Sequence, residues 1–228
     1  MPSTHAVALP ESVSTEVGAA GILQGLTAIS LIREAYPVQK GDWILVHAAA
    51  GGMGLWMCQM LKAVGARIIA TASTPEKREL AKKAGAEVEL EYPETMGSEA
   101  FVKKVKELTD GNGVAAVFDG VGKATFDVSL ECVARKGTMV SFGSASGAVP
   151  PFQISRLTAK NVKLLRTTLF NYIATREEFE KYSEDLFEII GSGKVDVKVH
   201  EVYDLKDVAK AHQDLEGRKT TGKLLLKP

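Results

Sequence analysis

The stretch Trp43-Ile-Leu-Val-His47, continued by Ala48-Ala-Ala-Gly-Gly-Met-Gly54 and an apolar helical run, decides the fold of this chain. Its apolar beginning predicts a buried β-strand, and the glycines predict a sharp turn out of that strand into a helix. Glycine is needed there because the backbone bends tightly and because the helix must pack closely on the strand. The stretch therefore predicts a strand, a turn and a helix in direct succession.

The glycines of this turn have a spacing that suits a bound pyrophosphate. Gly51 and Gly54 occupy two of the three glycine positions of the dinucleotide fingerprint, and Ala49 occupies the first. A helix that begins at Gly52 would present free N–H groups and the positive end of its dipole to phosphate oxygens. The alternative is a packing turn without a nucleotide, but a second strand that ends near residue 72 favours the nucleotide.

On both sides of this turn, short β-rich runs alternate with longer helical runs, which is typical of a parallel sheet covered on both faces. The pattern predicts an α/β fold with a doubly wound, six-stranded parallel sheet of the Rossmann type. Strands are predicted at 43–47, 67–71, 87–90, 114–119, 138–142 and 162–166, and helices at 15–35, 52–64, 75–84, 99–108 and 123–133.

The end of the chain has a different pattern, with a helix at 176–190, a strand at 199–203, a helix at 205–215 and a strand at 222–226. Six strands already complete a doubly wound sheet, so these last elements are expected in another layer or domain. We therefore divide the chain into a linker or domain remnant at 1–14, a nucleotide-binding domain at 15–195 and a C-terminal segment at 196–228.

Composition excludes several classes of partner. The 228 residues carry 28 basic and 28 acidic side chains, so no net charge attracts nucleic acid or an anionic membrane. Cys58 and Cys132 lie in apolar helical segments, which predicts buried thiols in a reducing compartment rather than a disulfide or a metal site. The chain starts without a signal-peptide pattern, and no apolar run approaches the roughly 18 residues of a membrane span. We expect a cytoplasmic protein.

The second strand indicates which dinucleotide is bound. In an NAD site this strand ends in an acidic residue that binds the adenosine ribose, but here it is followed by Ala72, Ser73 and Thr74. Hydroxyl groups and the cation of Lys77 would instead bind a 2′-phosphate, with Arg78 as a second candidate. The alternative is that Lys77 and Arg78 belong to a solvated helix face. The missing acid favours NADPH.

Six segments together carry a family resemblance, in the same order along the chain. They are Gln24-Gly-Leu-Thr-Ala28, His47-Ala-Ala-Ala-Gly-Gly-Met-Gly54, Phe118-Asp-Gly-Val-Gly122, Ser141-Phe-Gly-Ser-Ala-Ser-Gly147, Thr175-Arg-Glu-Glu178 and Gly217-Arg-Lys-Thr-Thr-Gly222. With them the chain resembles the zinc-free quinone oxidoreductases of the medium-chain dehydrogenase/reductase superfamily, the zeta-crystallin type. The resemblance implies NADPH-dependent reduction of quinones by hydride transfer.

The resemblance also implies which residues contact the phosphate and adenosine parts of the cofactor. Gly52, Met53 and Gly54 are similar to the pyrophosphate turn, and Ser73 and Lys77 are similar to ligands of the 2′-phosphate. Arg218 is similar to a second 2′-phosphate ligand, and Tyr92 is similar to a residue beside the adenosine. The alternative is an ordinary surface or packing role for each of them.

Further residues are similar to the family's nicotinamide pocket. Thr27 resembles the residue that binds the carboxamide, Leu169 resembles a wall of the pocket, and Gly120 stands where many relatives have Ser or Asn. The loop under the nicotinamide ribose is represented by Phe142, Gly143, Ser144 and Ser146. Thr27 and Phe142 could instead be packing residues, but placement at strand ends favours binding.

Family members begin with a separate β-rich catalytic domain, and this chain begins close to where that domain ends. The resemblance therefore implies that the catalytic domain is mostly absent, so we assign no catalytic residue and expect NADPH binding with weak or no turnover. The zinc-dependent relatives use Cys and His ligands, whereas the two cysteines and four histidines here form no such set, so no metal is expected.

Three further expectations accompany this assignment. The same cofactor arrangement would serve reduction of an activated alkene such as an enone or enal, and the sequence does not separate this reaction from quinone reduction. RNA binding, reported for some relatives, is disfavoured by the zero net charge. The strand at 162–166 is the family's dimer edge, and an open apolar edge invites pairing, so a homodimer is expected.

Overall fold

Helices and parallel strands alternate along most of the computed structural model, which describes residues 5–228. Within these residues the main sheet has six strands in the order β3-β2-β1-β4-β5-β6, and every pair in it is parallel. This is the strand order of a doubly wound dinucleotide-binding fold. The predicted fold class is confirmed. The strands are β1 (Trp43–Val46), β2 (Arg67–Thr71), β3 (Val88–Leu90), β4 (Val114–Asp119), β5 (Val133–Ser141) and β6 (Lys163–Arg166).

The helices lie on both faces of this sheet. They are α1 (Thr15–Ser30), α2 (Gly52–Val64), α3 (Pro75–Ala84), α4 (Pro93–Met96), α5 (Ser98–Leu108), α6 (Phe126–Cys132), α7 (Leu169–Tyr172), α8 (Arg176–Gly191) and α9 (Val208–Glu216). On one face Leu26, Trp56 and Leu186 pack α1, α2 and α8 together. On the other face Phe101 of α5 and Leu130 of α6 cover the sheet. Successive residues of β1, such as Ile44 and Leu45, point into these opposite clusters.

Capping residues in the sequence predicted several helix ends correctly. Thr74 is the N-cap of α3, its hydroxyl accepts the Lys77 amide at 3.2 Å, and Pro75 follows at the first helical position. Gly65 ends α2 with φ of 87°, a left-handed conformation that glycine adopts without strain. The predicted bounds of α2 and α3 are confirmed because both helices carry such end signals.

Other elements differ from the prediction. The helix expected at 123–133 is shortened to α6, and β5 begins at Val133, directly after it, with an irregular register opposite Val114 and Ala116. The short helices α4 and α7, and a 3-10 helix at Ile154–Lys160, were not predicted, because such short turns have no full apolar period.

The helix that begins at Thr15 continues through a π-helical turn at Leu31–Ala35. Taken as one 21-residue helix, it is long and apolar enough to cross a membrane, contrary to the expectation from the sequence. However, 56% of its most apolar window is buried inside the fold. Leu26 and Ile29 are in the hydrophobic core, and a core helix has the same composition.

The C-terminal segment forms its own small sheet of β7 (Val199–Asp204) and β8 (Lys223–Lys227), which pair in parallel around α9. It contacts the main domain at the glycine turn, where Gly51 forms an isolated parallel bridge with Gly222. Gln59 of α2 accepts the Asp196 amide at 2.7 Å. The domain division at 1–14, 15–195 and 196–228 stays a prediction, and residues 1–4 of the first segment lie outside the described residues.

The strand β6 lies at one edge of the main sheet and pairs only with β5 among the described residues. Phe170 follows this strand closely and is 63% exposed. An open strand edge and an exposed aromatic ring suit pairing with a second copy, which stays a prediction.

Candidate functional site

The carboxyl ends of β1, β2 and β4 meet at one side of a cavity of about 210 Å³. This is the crevice at which open α/β sheets bind ligands. The cavity is lined by Ala48, Ala50, Gly51, Ala72, Ser73, Lys77, Tyr92, Glu94, Val121, Ala124, Thr125, Ala145, Leu215, Arg218 and Thr220. A larger open groove of about 770 Å³ lies beside α5 and α6, but no strand-end residue lines it. We therefore place the site in the smaller cavity.

The glycine turn leaves β1 sharply and leads directly into α2. Ala48 has φ of 54°, an uncommon left-handed value for a residue with a side chain, and its carbonyl accepts the Gly51 amide at 2.9 Å. The Ala49 amide donates to the Thr71 carbonyl at 2.9 Å, so the turn is also tied to the end of β2. The amides at the start of α2 have no partner within the helix and suit an anion.

Two glycines of this turn have no room for a side chain. A Cβ atom at Gly54 would lie 2.4 Å from both the Ala48 carbonyl oxygen and the Ala49 Cα, so α2 packs directly on the backbone. A Cβ atom at Gly52 would lie 2.2 Å from Nε2 of Gln24. The Gln24 side chain of α1 therefore lies over the helix start. No separate role was predicted for Gln24, because no local pattern indicates that its side chain reaches the turn.

The predicted phosphate ligands Ser73, Lys77 and Arg218 lie together at the cavity. Ser73 is exposed, and Nζ of Lys77 donates to the Arg218 carbonyl at 2.5 Å. Arg218 has φ of 56° and an exposed side chain. This places two cations from distant segments beside the end of β2, where an NAD site would have its acid.

Two other candidates at this end have different contacts. Arg78 is directed at Glu91, with Nη1 and Oε1 3.1 Å apart, and it does not line the cavity. The hydroxyl oxygen of Thr74 accepts the Lys77 amide as the helix cap. Arg78 thus forms an ion pair with Glu91, and its role as a second phosphate ligand stays a prediction.

Tyr92 lies at the start of α4 and forms a wall of the cavity. Burial raises the pKa of its hydroxyl, and the positive charge of Arg218 opposes that shift. The pKa is raised overall, because burial is the largest of these effects. The phenol therefore stays protonated at neutral pH.

The predicted nicotinamide loop packs against the turn after β4. A Cβ atom at Gly120 would lie 2.8 Å from the Phe142 ring, and a Cβ atom at Gly143 would lie 2.5 Å from the Gly120 carbonyl. The Ser146 hydroxyl donates to the Val121 carbonyl at 2.8 Å and accepts the Ala124 amide at 3.0 Å. Gly120 therefore gives its side-chain space to Phe142, and the Ser146 hydroxyl holds the loop in place.

The other predicted pocket residues are spread around this loop. The Thr27 hydroxyl donates to the Leu23 carbonyl at 2.7 Å within α1, which leaves its oxygen able to accept a hydrogen bond. Leu169 is buried as the first residue of α7, and Met53 is half-buried at the start of α2. Ser144 is exposed, and its carbonyl accepts the Gly147 amide at 2.9 Å. Their roles stay predictions.

A buried polar network lies behind the cavity, and the sequence did not indicate it. The Asp119 carboxylate accepts the hydroxyls of Thr125 at 2.8 Å and Ser129 at 2.9 Å. Ser129 lies 2.9 Å from Nε2 of His47, and Nδ1 of His47 lies 3.0 Å from the Thr71 hydroxyl. All five side chains are buried. The partners are far apart in sequence, so only the fold brings them together.

The two cysteine thiols are buried and do not line the cavity. Burial raises the pKa of the Cys58 and Cys132 thiols to about 12, so neither is a thiolate at neutral pH. Within residues 5–228, no group of three or more His, Cys, Asp or Glu side chains is arranged to hold a metal ion.

Comparisons with known proteins agree with this geometry. A family model described as zinc-binding dehydrogenase matches residues 52–188. The probable quinone oxidoreductase of Schizosaccharomyces pombe is 43% identical over 226 residues, which cover 99% of this chain and 67% of that protein. The 2-haloacrylate reductase of a Burkholderia species is 34% identical and is matched over 100% of this chain and 68% of its own length.

Solved structures are similar over the whole chain. A mycobacterial protein, Rv1454c, complexed with NADPH has a TM-score of 0.97 at 47% identity, and the match covers 100% of this chain and 69% of that one. The Escherichia coli quinone oxidoreductase complexed with NADPH has a TM-score of 0.94 at 43% identity, covering 99% and 69% of the two chains. The chain thus spans about two thirds of the length of these similar proteins.

Proposed function

The chain belongs to the quinone oxidoreductases of the medium-chain dehydrogenase/reductase superfamily, and from this membership we propose that it binds NADPH and supplies the cofactor-binding part of an NADPH-dependent quinone reductase. The observation that carries the proposal is the pairing of the glycine turn with Ser73, Lys77 and Arg218 at one cavity. The glycine turn suits a pyrophosphate, and the group formed by Ser73, Lys77 and Arg218 suits a 2′-phosphate.

The residues of the cavity fit this cofactor. Gly54 lets α2 pack directly on the turn, which places the first amides of the helix at the carboxyl end of β1, where they suit phosphate oxygens. Ser73 replaces the carboxylate that would repel a 2′-phosphate, while the Lys77 ammonium and the Arg218 guanidinium attract it. Tyr92 closes the cavity beside them and would pack against the adenosine. Together these residues would bind and orient the cofactor.

NADPH supplies a hydride when it is bound, so the protein's task is to orient the nicotinamide and to shield it from water. We assign the orientation to the loop that packs Phe142 over Gly120 and to Thr27, whose oxygen is free to accept a carboxamide N–H group. Leu169 would form an apolar wall of this pocket. We assign no catalytic residue. A homodimer in the cytosol is part of the same proposal and rests on the open edge of β6 and the two buried thiols.

A fluorescence titration tests the cofactor assignment. Trp56 is buried in the first turns of α2, close to the proposed pyrophosphate site, so its emission is a suitable probe. We expect NADPH to bind at least about tenfold more tightly than NADH, since the extra phosphate gains charge-assisted hydrogen bonds. Equal affinity for the two cofactors would contradict the roles of Ser73 and Lys77.

A second candidate reaction is favoured by one of the similar proteins. The Burkholderia protein named 2-haloacrylate reductase acts on an activated alkene, and it is matched along the entire chain. An assay of NADPH oxidation with 1,4-benzoquinone and with 2-chloroacrylate at equal concentration separates the two reactions. We expect slow oxidation, faster with the quinone, because the Schizosaccharomyces pombe and Escherichia coli proteins, at 43% identity each, are named quinone oxidoreductases. Faster oxidation with 2-chloroacrylate would favour alkene reduction.

A further inference from the structure

The buried network that ends at Asp119 cross-links the three strand ends that form the cofactor cavity. Asp119 is the last residue of β4, Thr71 is the last residue of β2, and His47 stands directly after β1 and before the left-handed Ala48. The His47 ring lies between Thr71 and Ser129 and is hydrogen-bonded to both. The backbone pairing of β1 with β2 and with β4 also joins these strands.

The direction of each hydrogen bond follows from the donors and acceptors available. An ionised carboxylate only accepts, and Asp119 accepts from the amides of Val121 and Gly122 as well as from two hydroxyls. Ser129 has one hydrogen, which it donates to Asp119, so its oxygen must accept from Nε2 of His47. Nε2 therefore carries the proton, and Nδ1 accepts from the Thr71 hydroxyl.

The surroundings of the His47 ring keep it neutral, with its proton on Nε2. Phe101 of α5 stacks on the ring with 6.3 Å between centroids, Thr71 and Ser129 flank it, and Asp119 lies beyond Ser129. Burial lowers the pKa of His47, and the charge of Asp119 opposes this shift only in part. The imidazole is therefore neutral at pH 7.

The orientation of Thr71 is the link to the cavity. Its only hydroxyl hydrogen is donated to His47, which fixes the Thr71 side chain against the network. Its backbone carbonyl accepts the Ala49 amide of the glycine turn. Thr71 thus contacts the network through its side chain and the glycine turn through its backbone.

We infer that His47 is a positioning residue of the cofactor site, which as a neutral Nε2–H imidazole orients Thr71 and thereby holds the glycine turn in place for binding the nucleotide. The inference rests on the proposed function, because positioning has meaning only if the cavity binds NADPH. It predicts that a variant that breaks the network binds NADPH more weakly than a variant that is destabilised to the same extent elsewhere in the fold.

Replacement of Thr71 with valine tests this inference, because it keeps the shape of the side chain and removes the hydroxyl. Thr109 provides a matched control, since it is also buried, and its hydroxyl donates to the Val105 carbonyl and accepts the Gly113 amide before β4, at the opposite end of that strand. We expect Thr71→Val to bind NADPH about tenfold more weakly. Thr109→Val should lower the melting temperature similarly without changing the affinity. Thr71→Ser should restore binding.

A second variant and a spectroscopic signature complete the test. Ser129→Ala breaks the network on the other side of His47, and we expect it too to weaken NADPH binding. Imidazole ¹⁵N NMR of the unmodified protein should show a neutral ring protonated at Nε2 at pH 7. A ring protonated at Nδ1, or a charged ring, would overturn the inference.

The affinities distinguish this inference from the proposed function. If the unmodified chain binds NADPH and Thr71→Val binds it equally well, the inference is overturned and the proposed function stands. If the unmodified chain binds neither NADPH nor NADH, the proposed function fails and the inference fails with it.

Discussion

Replacement of Gly54 with alanine is expected to abolish measurable NADPH binding and to destabilise the fold. The added Cβ atom would lie 2.4 Å from the Ala48 oxygen and from the Ala49 Cα, and neither backbone atom can move without displacing the turn. The start of α2 would then shift away from the phosphate position. Loss of two charge-assisted hydrogen bonds, at about 1.5–3 kcal/mol each, corresponds to more than about a hundredfold in affinity. The Trp56 titration measures this loss.

Gly191 offers a control for this substitution. It is the last residue of α8, and among the described residues no atom lies within 4 Å of a Cβ added there. Gly191→Ala should therefore leave NADPH affinity unchanged and alter stability by less than about 1 kcal/mol. If Gly54→Ala bound NADPH as tightly as the unmodified chain, the phosphates could not lie against this turn.

Replacement of Lys77 with glutamate should have the second largest effect, and it should be selective. The ammonium is positioned beside Ser73 and Arg218, so reversing its charge would repel a 2′-phosphate and leave the rest of the nucleotide site intact. Since hydrogen bonds to charged groups contribute about 1.5–3 kcal/mol, we expect about a hundredfold weaker binding of NADPH. Binding of NADH should change little. The ratio of the two dissociation constants is the measurement.

Lys83 provides a matched charge reversal on the same helix. Its side chain is 72% exposed, and its nearest ionic partner is Glu79 at 3.8 Å, outside the cavity. Lys83→Glu changes the net charge equally but should leave the NADPH to NADH ratio unaltered, because exposed charges at a distance are screened by salt. An equal loss of NADPH affinity in both variants would point to a general field rather than to contact by Lys77.

Features with local causes could be predicted from the sequence. The bounds of α3 follow from Thr74, Pro75 and Gly85, each of which acts on its own helix end. The glycine turn was recognisable because a sharp bend and a close helix contact restrict Gly54 itself. The parallel direction of the strands follows from the alternation of strands and helices, since parallel strands need crossover connections.

Features that depend on distant partners could not be predicted in this way. His47 is separated from Ser129 by 82 residues and from Thr71 by 24, so no spacing indicates their contact. Arg78 was a second candidate beside Lys77 as a phosphate ligand. Its position one residue further along the helix directs its side chain toward Glu91. Side-chain direction, rather than residue type, separates these two cations.

The way in which the last residues close the cavity has a consequence for biosynthesis. Leu215, Arg218 and Thr220 line the cavity although they stand close to the end of the chain, and Gly222 bridges to Gly51. Because ribosomes make proteins from the amino terminus and domains begin to fold during synthesis, the parallel sheet can form while these residues are still untranslated. A nascent chain would therefore hold its nucleotide in full only after residues 215–222 have been synthesised.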